Sequence, residues 1–225
     1  MLAAESPLLQ LGDEWKICAR SLLVFEETPF GLPPDHDWVF FYSAQAAAFY
    51  QAGLERLGAL PLSGVRLAAL GDGTAAAVAK AFGQEPDFVG SGNPEATAEA
   101  FLQRAKGLRV LFPRARNSRQ SIAHLLAGEV EAIGLVVYEN RPTAPSPLPC
   151  CDYVALTSPM NVEAYLASVG SIGPLQRVIA IGEATAQALR EAGVTHLRVA
   201  RAPSEAELAA SLLEWEAELP HLPAG

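Results

Sequence analysis

Two strand–helix blocks recur in the same order along this chain, and this repeat constrains the fold more than any other feature of the sequence. Residues Trp38–Ser43 and the segment after them align with Tyr153–Ser158 at an offset of 115. Residues Leu67–Ala75 align with Val178–Ala186 at an offset of 111. Each block is a short apolar run followed by an amphipathic Ala/Leu-rich segment, which is typical of a parallel α/β sheet. The repeat therefore predicts two similar α/β lobes rather than one large sheet.

The same periodicity predicts the individual elements. The predicted strands are Trp38–Ser43, Arg66–Gly71, Arg109–Arg114, Ala132–Glu139, Tyr153–Ser158 and Arg177–Gly182. The predicted helices are Ala44–Leu57, Gly73–Phe82, Pro94–Lys106, Ser118–Ala127, Met160–Val169, Glu183–Ala192 and Ser204–Glu218. A third strand is predicted in each copy, near Asp87–Gly90 and His196–Ala200, and Pro94 and Pro203 are expected to open the helices that follow.

The order of these blocks predicts that one lobe is discontinuous. Lobe 1 is expected to comprise residues 1–23 and 142–225, lobe 2 residues 31–135, and two crossing strands residues 24–30 and 136–141. The second copy has no counterpart of Arg109–Glu139 after Glu218, so the segment Trp15–Val24 is expected to help complete it. We expect flavodoxin-like or Rossmann-like lobes with a ligand cleft between them. The four prolines of Pro142–Pro149 indicate a linker without regular structure.

Composition narrows the class of protein. The 225 residues are 50% hydrophobic and 18% charged, with a net charge of −9, which argues against non-specific binding to nucleic acid or to an anionic membrane. No apolar stretch is long enough to span a bilayer, and Met1–Glu5 lacks the features of a signal peptide, so a cytoplasmic location is expected. The spacing of Cys18, Cys150 and Cys151 fits neither a redox motif nor a zinc site, and no metal is expected.

Hydroxyl groups and glycines follow the predicted strands in both copies. Ser43 and Ser158 each end a strand, and a Gly-x-x-Thr turn recurs at Gly71 to Thr74 and at Gly182 to Thr185. The free N–H groups of a helix start bind carboxylate or phosphate, so these turns are candidate anion sites. The alternative is that the side chains only cap their helices.

Other candidate groups give weaker signals. Residues 71–76 read GDGTAA and satisfy a dinucleotide-binding fingerprint, but the second copy, GEAT at 182–185, breaks it, and no P-loop or GxSxG elbow is present. Tyr138 lies on a predicted crossing strand. Its phenol either donates a proton or a hydrogen bond, or its ring only packs at the hinge. Arg114, Arg116 and Arg119 form either an anion-facing edge or a solvated loop.

With these residues in view, the chain resembles the uroporphyrinogen-III synthase family. The family's strand-TSxxxV motif is similar to residues Tyr42–Gln45 and Thr157–Val162, and its (V/I)GxxTAxxL motif to Leu70–Val78 and Ile181–Leu189. A VLxPR element is similar to Val110–Arg114, and VYxT is similar to Val137–Asn140. Each motif is weak alone, but their joint order is specific and covers nearly the whole chain.

This resemblance implies a function and a set of site residues. The family cyclises hydroxymethylbilane to uroporphyrinogen III with inversion of the D ring and loss of water, and it uses no cofactor. Tyr138 matches the tyrosine proposed to assist loss of the hydroxyl group. The residues expected to bind the eight substrate carboxylates are Ser43, Ala44, Gly71, Thr74, Arg114, Thr157, Ser158, Pro159, Gly182 and Thr185. A monomer in transient contact with hydroxymethylbilane synthase is expected, without nucleic acid or membrane partners.

The chain also departs from the family, and another class of function stays open. Only about 23 residues precede Val24, so lobe 1 is expected to lack the N-terminal strand with which the family usually opens. Tyr42, Gln45 and Asn140 replace residues that are more usual in the family. The alternative function is that of a cytoplasmic bilobal binding or sensor protein that closes on an anionic small molecule without chemistry.

Overall fold

The computed structural model describes residues 6–60, 62–118 and 120–218. Met1–Glu5 and Arg119, which entered the predictions above, lie outside the described residues. The strands are β1 (Leu23–Glu27), β2 (Trp38–Phe41), β3 (Arg66–Ala69), β4 (Phe88–Val89), β5 (Arg109–Ala115), β6 (Glu131–Pro142), β7 (Tyr153–Leu156), β8 (Arg177–Ala180) and β9 (Leu197–Val199). The α-helices are α1 (Ala44–Arg56), α2 (Asp72–Phe82), α3 (Pro94–Ala105), α4 (Ser121–Leu125), α5 (Pro159–Val169), α6 (Glu183–Glu191) and α7 (Glu205–Ala217).

The chain divides into two compact units. Unit 1 contains Met1–Val24 and Arg141–Gly225, and unit 2 contains Phe25–Asn140. One boundary between the units falls inside β1 and the other falls inside β6, so the chain passes from one unit to the other through two strands. The protein is therefore an α/β protein with two units, each built on a predominantly parallel sheet.

The sheet of unit 2 has six strands in the order β1-β6-β5-β2-β3-β4. The neighbours from β6 to β4 pair in parallel. The Thr28 N–H donates to the Val137 carbonyl, and the Thr143 N–H donates to the Leu22 carbonyl. Residue numbers therefore rise along one strand as they fall along the other, so β1 runs antiparallel to β6. The strand order reverses between β2 and β5, and in open parallel sheets the crevice beyond the carboxyl ends of two such strands is the usual ligand site.

Both faces of the unit 2 sheet are buried, which explains the continuous apolar runs of its strands. Trp38 and Phe40 of β2 pack on one face, where the Phe101 ring of α3 lies with its centroid 5.1 Å and 5.0 Å from theirs. Val39 and Phe41 alternate to the other face and pack against α1 and α2. This core fixes the carboxyl end of β2 and hence the start of α1.

Unit 1 contains the three-stranded parallel sheet β7-β8-β9. Its order matches β2-β3-β4, as the repeat predicts. Helices α5 and α6 pack with Val178 and Ala180 on one face, and α7 packs with Ile179 on the other. Leu8, in the short 3-10 helix Pro7–Gln10, joins the α7 cluster.

The structure corrects three of the predictions, while the crossing segment 136–141 lies within β6. The segment Trp15–Val24 adds no strand to the β7-β8-β9 sheet, because its only strand residues, Leu23 and Val24, belong to β1 beside β6. Pro203 lies before α7, whose N-cap is Ser204. Helix α4 is shorter than predicted because Gln120, at φ 54°, adopts a left-handed conformation immediately before it.

Candidate active site

The two serines that follow β2 and β7 cap the helices after them. In unit 2 the Ser43 Oγ accepts a hydrogen bond from the Ala46 N–H at 3.3 Å, at the start of α1. In unit 1 the Ser158 Oγ accepts one from the Asn161 N–H at 3.1 Å, at the start of α5. Both serines therefore cap their helices. Each hydroxyl still has its own proton to donate.

The two glycine turns leave helix N-termini without a side-chain cap. Gly71 and Gly182 are the N-caps of α2 and α6, and neither helix start has a side-chain hydrogen bond from its cap. The Thr74 and Thr185 N–H groups donate to the Gly71 and Gly182 carbonyls at 3.0 Å and 3.1 Å. The N–H groups of the two residues before each threonine are the remaining donors that each turn, with its partial positive charge, offers to an anion. A methyl group added at Gly182 would meet no atom within 4 Å, whereas one at Gly71 would lie 3.1 Å from the Gly92 Cα.

The two equivalent threonines differ in accessibility. Thr74 is half-buried at the third position of α2. Thr185, at the same position of α6, is only 2% exposed. Thr74 is therefore the better placed of the two to contact a ligand, and burial weighs against a direct contact for Thr185.

The other predicted binding residues of these turns lie at two helix starts. Ala44 is the first residue of α1 and is exposed, and Pro159 is the first residue of α5. The Thr157 Oγ1 accepts a hydrogen bond from the Asn161 side-chain amide at 3.0 Å. In each unit the predicted residues thus cluster at the carboxyl ends of the strands.

Tyr138 lies on β6 in unit 2 and is 7% exposed. Its phenol oxygen is 3.4 Å from the Ser43 Oγ, and either oxygen can be the donor. Its ring stacks on Phe49 of α1, with centroids 5.1 Å apart and an interplanar angle of 16°. The Phe25 ring of β1 lies beside the same ring, with the two centroids 6.1 Å apart. The phenol is thus held against the start of α1, at the carboxyl end of β2.

Arg114 lies at the carboxyl end of β5, across the strand reversal from Ser43. Its guanidinium donates to the carbonyl oxygens of Ala115 and Arg116 at 3.2 Å, while its Nε is buried without a hydrogen-bond partner among the described residues. The nearby Tyr42 hydroxyl accepts the Ala123 N–H at 3.0 Å. Burial raises the pKa of the Tyr42 phenol to about 12, and the Ala123 hydrogen bond and the Arg114 charge oppose this shift. Tyr42 therefore stays protonated at neutral pH.

The arginine cluster considered from the sequence is only partly available for binding. Arg116 pairs with Glu139 at 3.3 Å, and Arg119 lies outside the described residues. Within the described ranges, no group of three or more His, Cys, Asp or Glu side chains is arranged to hold a metal ion. None of the helices in this part of the chain is long and apolar enough to span a membrane.

Comparison with known proteins identifies the family. The family model described as uroporphyrinogen-III synthase HemD matches residues 4–210 of the chain. The chain belongs to the uroporphyrinogen-III synthase family. The resemblance drawn from the sequence motifs is thereby confirmed, and the family assigns to this chain the synthesis of uroporphyrinogen III in haem biosynthesis. The binding or sensor alternative is not favoured.

Solved structures of synthases support the fold. Uroporphyrinogen-III synthetase from Helicobacter pylori is similar with a TM-score of 0.67 and 24% identity, over 86% of this chain and 91% of that chain. A mutant uroporphyrinogen III synthase from the extremely thermophilic bacterium Thermus thermophilus is similar with a TM-score of 0.54 and 18% identity, over 88% of each chain. At these identities the likeness concerns the fold. A comparison with curated protein sequences finds no match.

Sequence reasoning about the synthase site missed Phe49. The aromatic stack with Tyr138 joins two elements that are far apart in the chain, and no local periodicity predicts it. One signal was available: Phe49 aligns in the repeat with Ala164, while the neighbouring Tyr50 and Tyr165 match each other. A large side chain in one copy where the other has a small one marks a contact that belongs to only one unit.

Proposed function

We propose that this synthase is a cofactor-independent cyclising lyase in which Tyr138 protonates the leaving hydroxyl group of hydroxymethylbilane. The observation that carries the proposal is the buried Tyr138 phenol, 3.4 Å from the Ser43 hydroxyl at the carboxyl end of β2. A phenol is a reasonable general acid for a leaving hydroxyl group when it is within hydrogen-bond reach of it. In the chain order of the family motifs, Tyr138 also occupies the position of the tyrosine proposed to assist this step.

The proposed reaction balances without an external reagent. The Tyr138 proton passes to the hydroxyl oxygen of the hydroxymethyl group, the C–O bond breaks with its electron pair on oxygen, and water leaves. The bilane is left as an azafulvene cation and Tyr138 as a phenolate. Attack of the substituted D-ring carbon on this cation forms a spiro intermediate, which fragments and recombines in the inverted sense. The ring closure releases one proton, which returns to the phenolate.

Binding is proposed to rest on helix N-termini rather than on a basic surface. The substrate has eight carboxylates, whereas the chain has a net charge of −9. Local donors at the starts of α1, α2, α5 and α6, together with the Arg114 guanidinium, can bind carboxylates despite this overall charge. The proposed contacts are those of Ala44, Gly71, Thr74, Thr157, Ser158, Pro159 and Gly182, while the Ser43 hydroxyl, 3.4 Å from the Tyr138 oxygen, is proposed to act through that phenol. Thr185 is proposed to support its turn from within the core.

Positioning is proposed to supply most of the rate acceleration. The bilane is reactive once its hydroxyl group has left, so the main task is to hold the D ring where the substituted carbon attacks. Correct orientation of reacting groups can contribute about 7–11 kcal/mol to lowering a barrier.

The protein is further proposed to act as a cytoplasmic monomer that contacts hydroxymethylbilane synthase only transiently.

A coupled assay tests the proposal. Porphobilinogen and hydroxymethylbilane synthase generate the substrate, and the oxidised products are separated into type I and type III isomers by chromatography. We expect predominantly type III, and a loss of about 100-fold or more in kcat for Tyr138→Phe. Type I alone with the wild-type protein would refute the function. Unchanged kcat in Tyr138→Phe would refute the role of the phenol.

A further inference from the structure

Tyr138 is held by two groups of α1 that do different things. Phe49 stacks on its ring nearly in parallel, at 5.1 Å and 16°, and Ser43 approaches its oxygen at 3.4 Å. The stack restricts rotation of the ring and the hydroxyl contact fixes the direction of the oxygen. Ser43 is the N-cap of α1 and Phe49 lies in its second turn, so both contacts connect the phenol to the same helix.

The hydrogen bond between the Ser43 Oγ and the Tyr138 oxygen can run in either direction. The Ser43 Oγ accepts the Ala46 N–H at 3.3 Å, which uses one of its two lone pairs and leaves its own proton available to donate. When Ser43 donates to Tyr138, the phenol proton is released from that contact and can point at a substrate oxygen. The same donation stabilises the phenolate that remains after proton transfer.

The repeat shows that this arrangement is confined to unit 2. Ser158 caps α5 as Ser43 caps α1, so the cap alone does not need a tyrosine beside it. Ala164 stands in the copy where unit 2 has Phe49. The described part of unit 1 has no strand equivalent to β6 and hence no counterpart of Tyr138. Phe49 packs against the buried cluster of unit 2 that contains Tyr138, and helix capping alone leaves the serine–tyrosine contact unexplained.

We propose that Phe49 and Ser43 are positioning residues that hold the Tyr138 phenol with its own proton directed at the leaving hydroxyl group of the substrate. This inference rests on the proposed role of Tyr138. Phe49 acts through ring stacking, and Ser43 acts by donating its hydroxyl proton to the phenol oxygen. Neither residue needs to touch the reacting atoms.

Phe49→Leu tests the stack with little change in buried volume. We expect kcat to fall about tenfold, because a small displacement of a catalytic group is costly, while KM stays nearly constant. In a Tyr138→Phe background, Phe49→Leu should have no further effect, since no phenol proton remains to be directed. Phe82→Leu is the matched control: Phe82 is also half-buried in unit 2, but its ring contacts Phe41 and Tyr50. Equal losses from Phe49→Leu in both backgrounds would overturn the inference.

The hydroxyl of Ser43 needs a control for its second role as a helix cap. Ser43→Ala removes both the cap and the donor, and Ser43→Thr restores both. We expect Ser43→Thr to recover most of the kcat that Ser43→Ala loses. Ser204→Ala removes the equivalent cap of α7, where Ser204 accepts the Glu207 N–H at 3.2 Å, and should leave kcat unchanged. Failure of Ser43→Thr to recover activity, or an equal loss in Ser204→Ala, would contradict a donor role.

A spectroscopic measurement separates failure of this inference from failure of the proposed function. In protein with labelled tyrosine rings, the Tyr138 signals are assigned from Tyr138→Phe. The Phe49 ring current should move the Tyr138 ring protons upfield, and Phe49→Leu should abolish that shift. This result does not depend on turnover. An unshifted Tyr138 in the wild type would overturn the stack itself, whatever the isomer produced in the coupled assay.

Discussion

Replacing Gly182 by alanine tests whether the strand–helix turns contact substrate. Gly182 has φ −176°, an extended conformation that any residue adopts, and an added methyl group would meet no atom within 4 Å. Neither backbone conformation nor packing therefore requires glycine at this position. Apart from its preference over alanine as an N-cap, a glycine at an open helix N-terminus is expected where a ligand approaches the backbone closely.

The expected effect on stability is small. As an N-cap, alanine is less favourable than glycine by about 1 kcal/mol. Alanine also reduces the conformational freedom of the unfolded chain, which stabilises the folded protein by about 0.4–1 kcal/mol. These contributions nearly cancel, so Gly182→Ala should change the free energy of unfolding by about 0.5 kcal/mol or less. Its KM should rise about tenfold, which corresponds to ~1.4 kcal/mol and to the loss of roughly one charge-assisted hydrogen bond.

Gly71→Ala is the matched control from the other unit. Its methyl group would lie 3.1 Å from the Gly92 Cα and 3.2 Å from the Gly92 nitrogen, and both atoms belong to the backbone. Relief of this contact should cost about 1–3 kcal/mol. For a chain of this length each kcal/mol corresponds to about 2–4 °C in Tm. Gly71→Ala should therefore lower Tm clearly, whereas Gly182→Ala should not.

Thermal denaturation and steady-state kinetics on the same preparations separate the two effects. Gly182→Ala with normal Tm and raised KM would support a close approach of substrate to this turn. Gly182→Ala with unchanged KM and kcat would refute the substrate contact assigned to Gly182. A large loss of Tm in Gly182→Ala would instead refute the packing argument, because the structure leaves space for the methyl group.

Three further predictions concern stability. Asp37→Asn should lower the free energy of unfolding at pH 7, because the Arg109 backbone N–H donates to the Asp37 carboxylate at 2.9 Å and lowers its pKa below the ordinary 3.8. The stabilisation by this carboxylate is fully present above pH 3.8 and is lost as pH falls through the folded-state pKa. Urea titrations at a series of pH values should show wild type and variant converging below about pH 3.8; a difference independent of pH would contradict this. Phe101→Ala should cost about 3–5 kcal/mol in urea unfolding, because its fully buried ring leaves a cavity, and a loss below about 1 kcal/mol would contradict the packing. Tyr42→Phe should cost about 1–3 kcal/mol because the Ala123 N–H loses its acceptor, and an unchanged Tm would argue against that hydrogen bond.

Elements governed by local pattern were predicted well from the sequence. Helix α1 was predicted as Ala44–Leu57 and ends at Arg56, and β8 was predicted from Arg177 and begins there. In these segments the apolar period, the capping serine and the turn glycine all favour the same structure. Agreement between local preferences and the tertiary fold is what makes such segments predictable.

Features that depend on pairing between distant segments were not predictable in the same way. Trp15–Val24 has an aromatic and apolar pattern that resembles a strand, but its end pairs with β6 and the rest forms no strand. The pattern cannot specify which sheet edge a segment joins. Likewise the position of Tyr138 on β6 was predictable, while its ring stack on Phe49 depends on the register of two elements far apart in the chain.

The repeat and its departures carry different information about the site. Duplicated features, such as the helix starts at Gly71 and Gly182 that have no side-chain cap, occur at strand ends in both units and suit a substrate that carries many equivalent carboxylates. Loss of one hydroxyl group, in contrast, needs a single proton donor. Tyr138 and Phe49 have no equivalents in the described part of unit 1, and they contact each other. The duplicated residues therefore suit binding, and the pair found only in unit 2 suits the single chemical step.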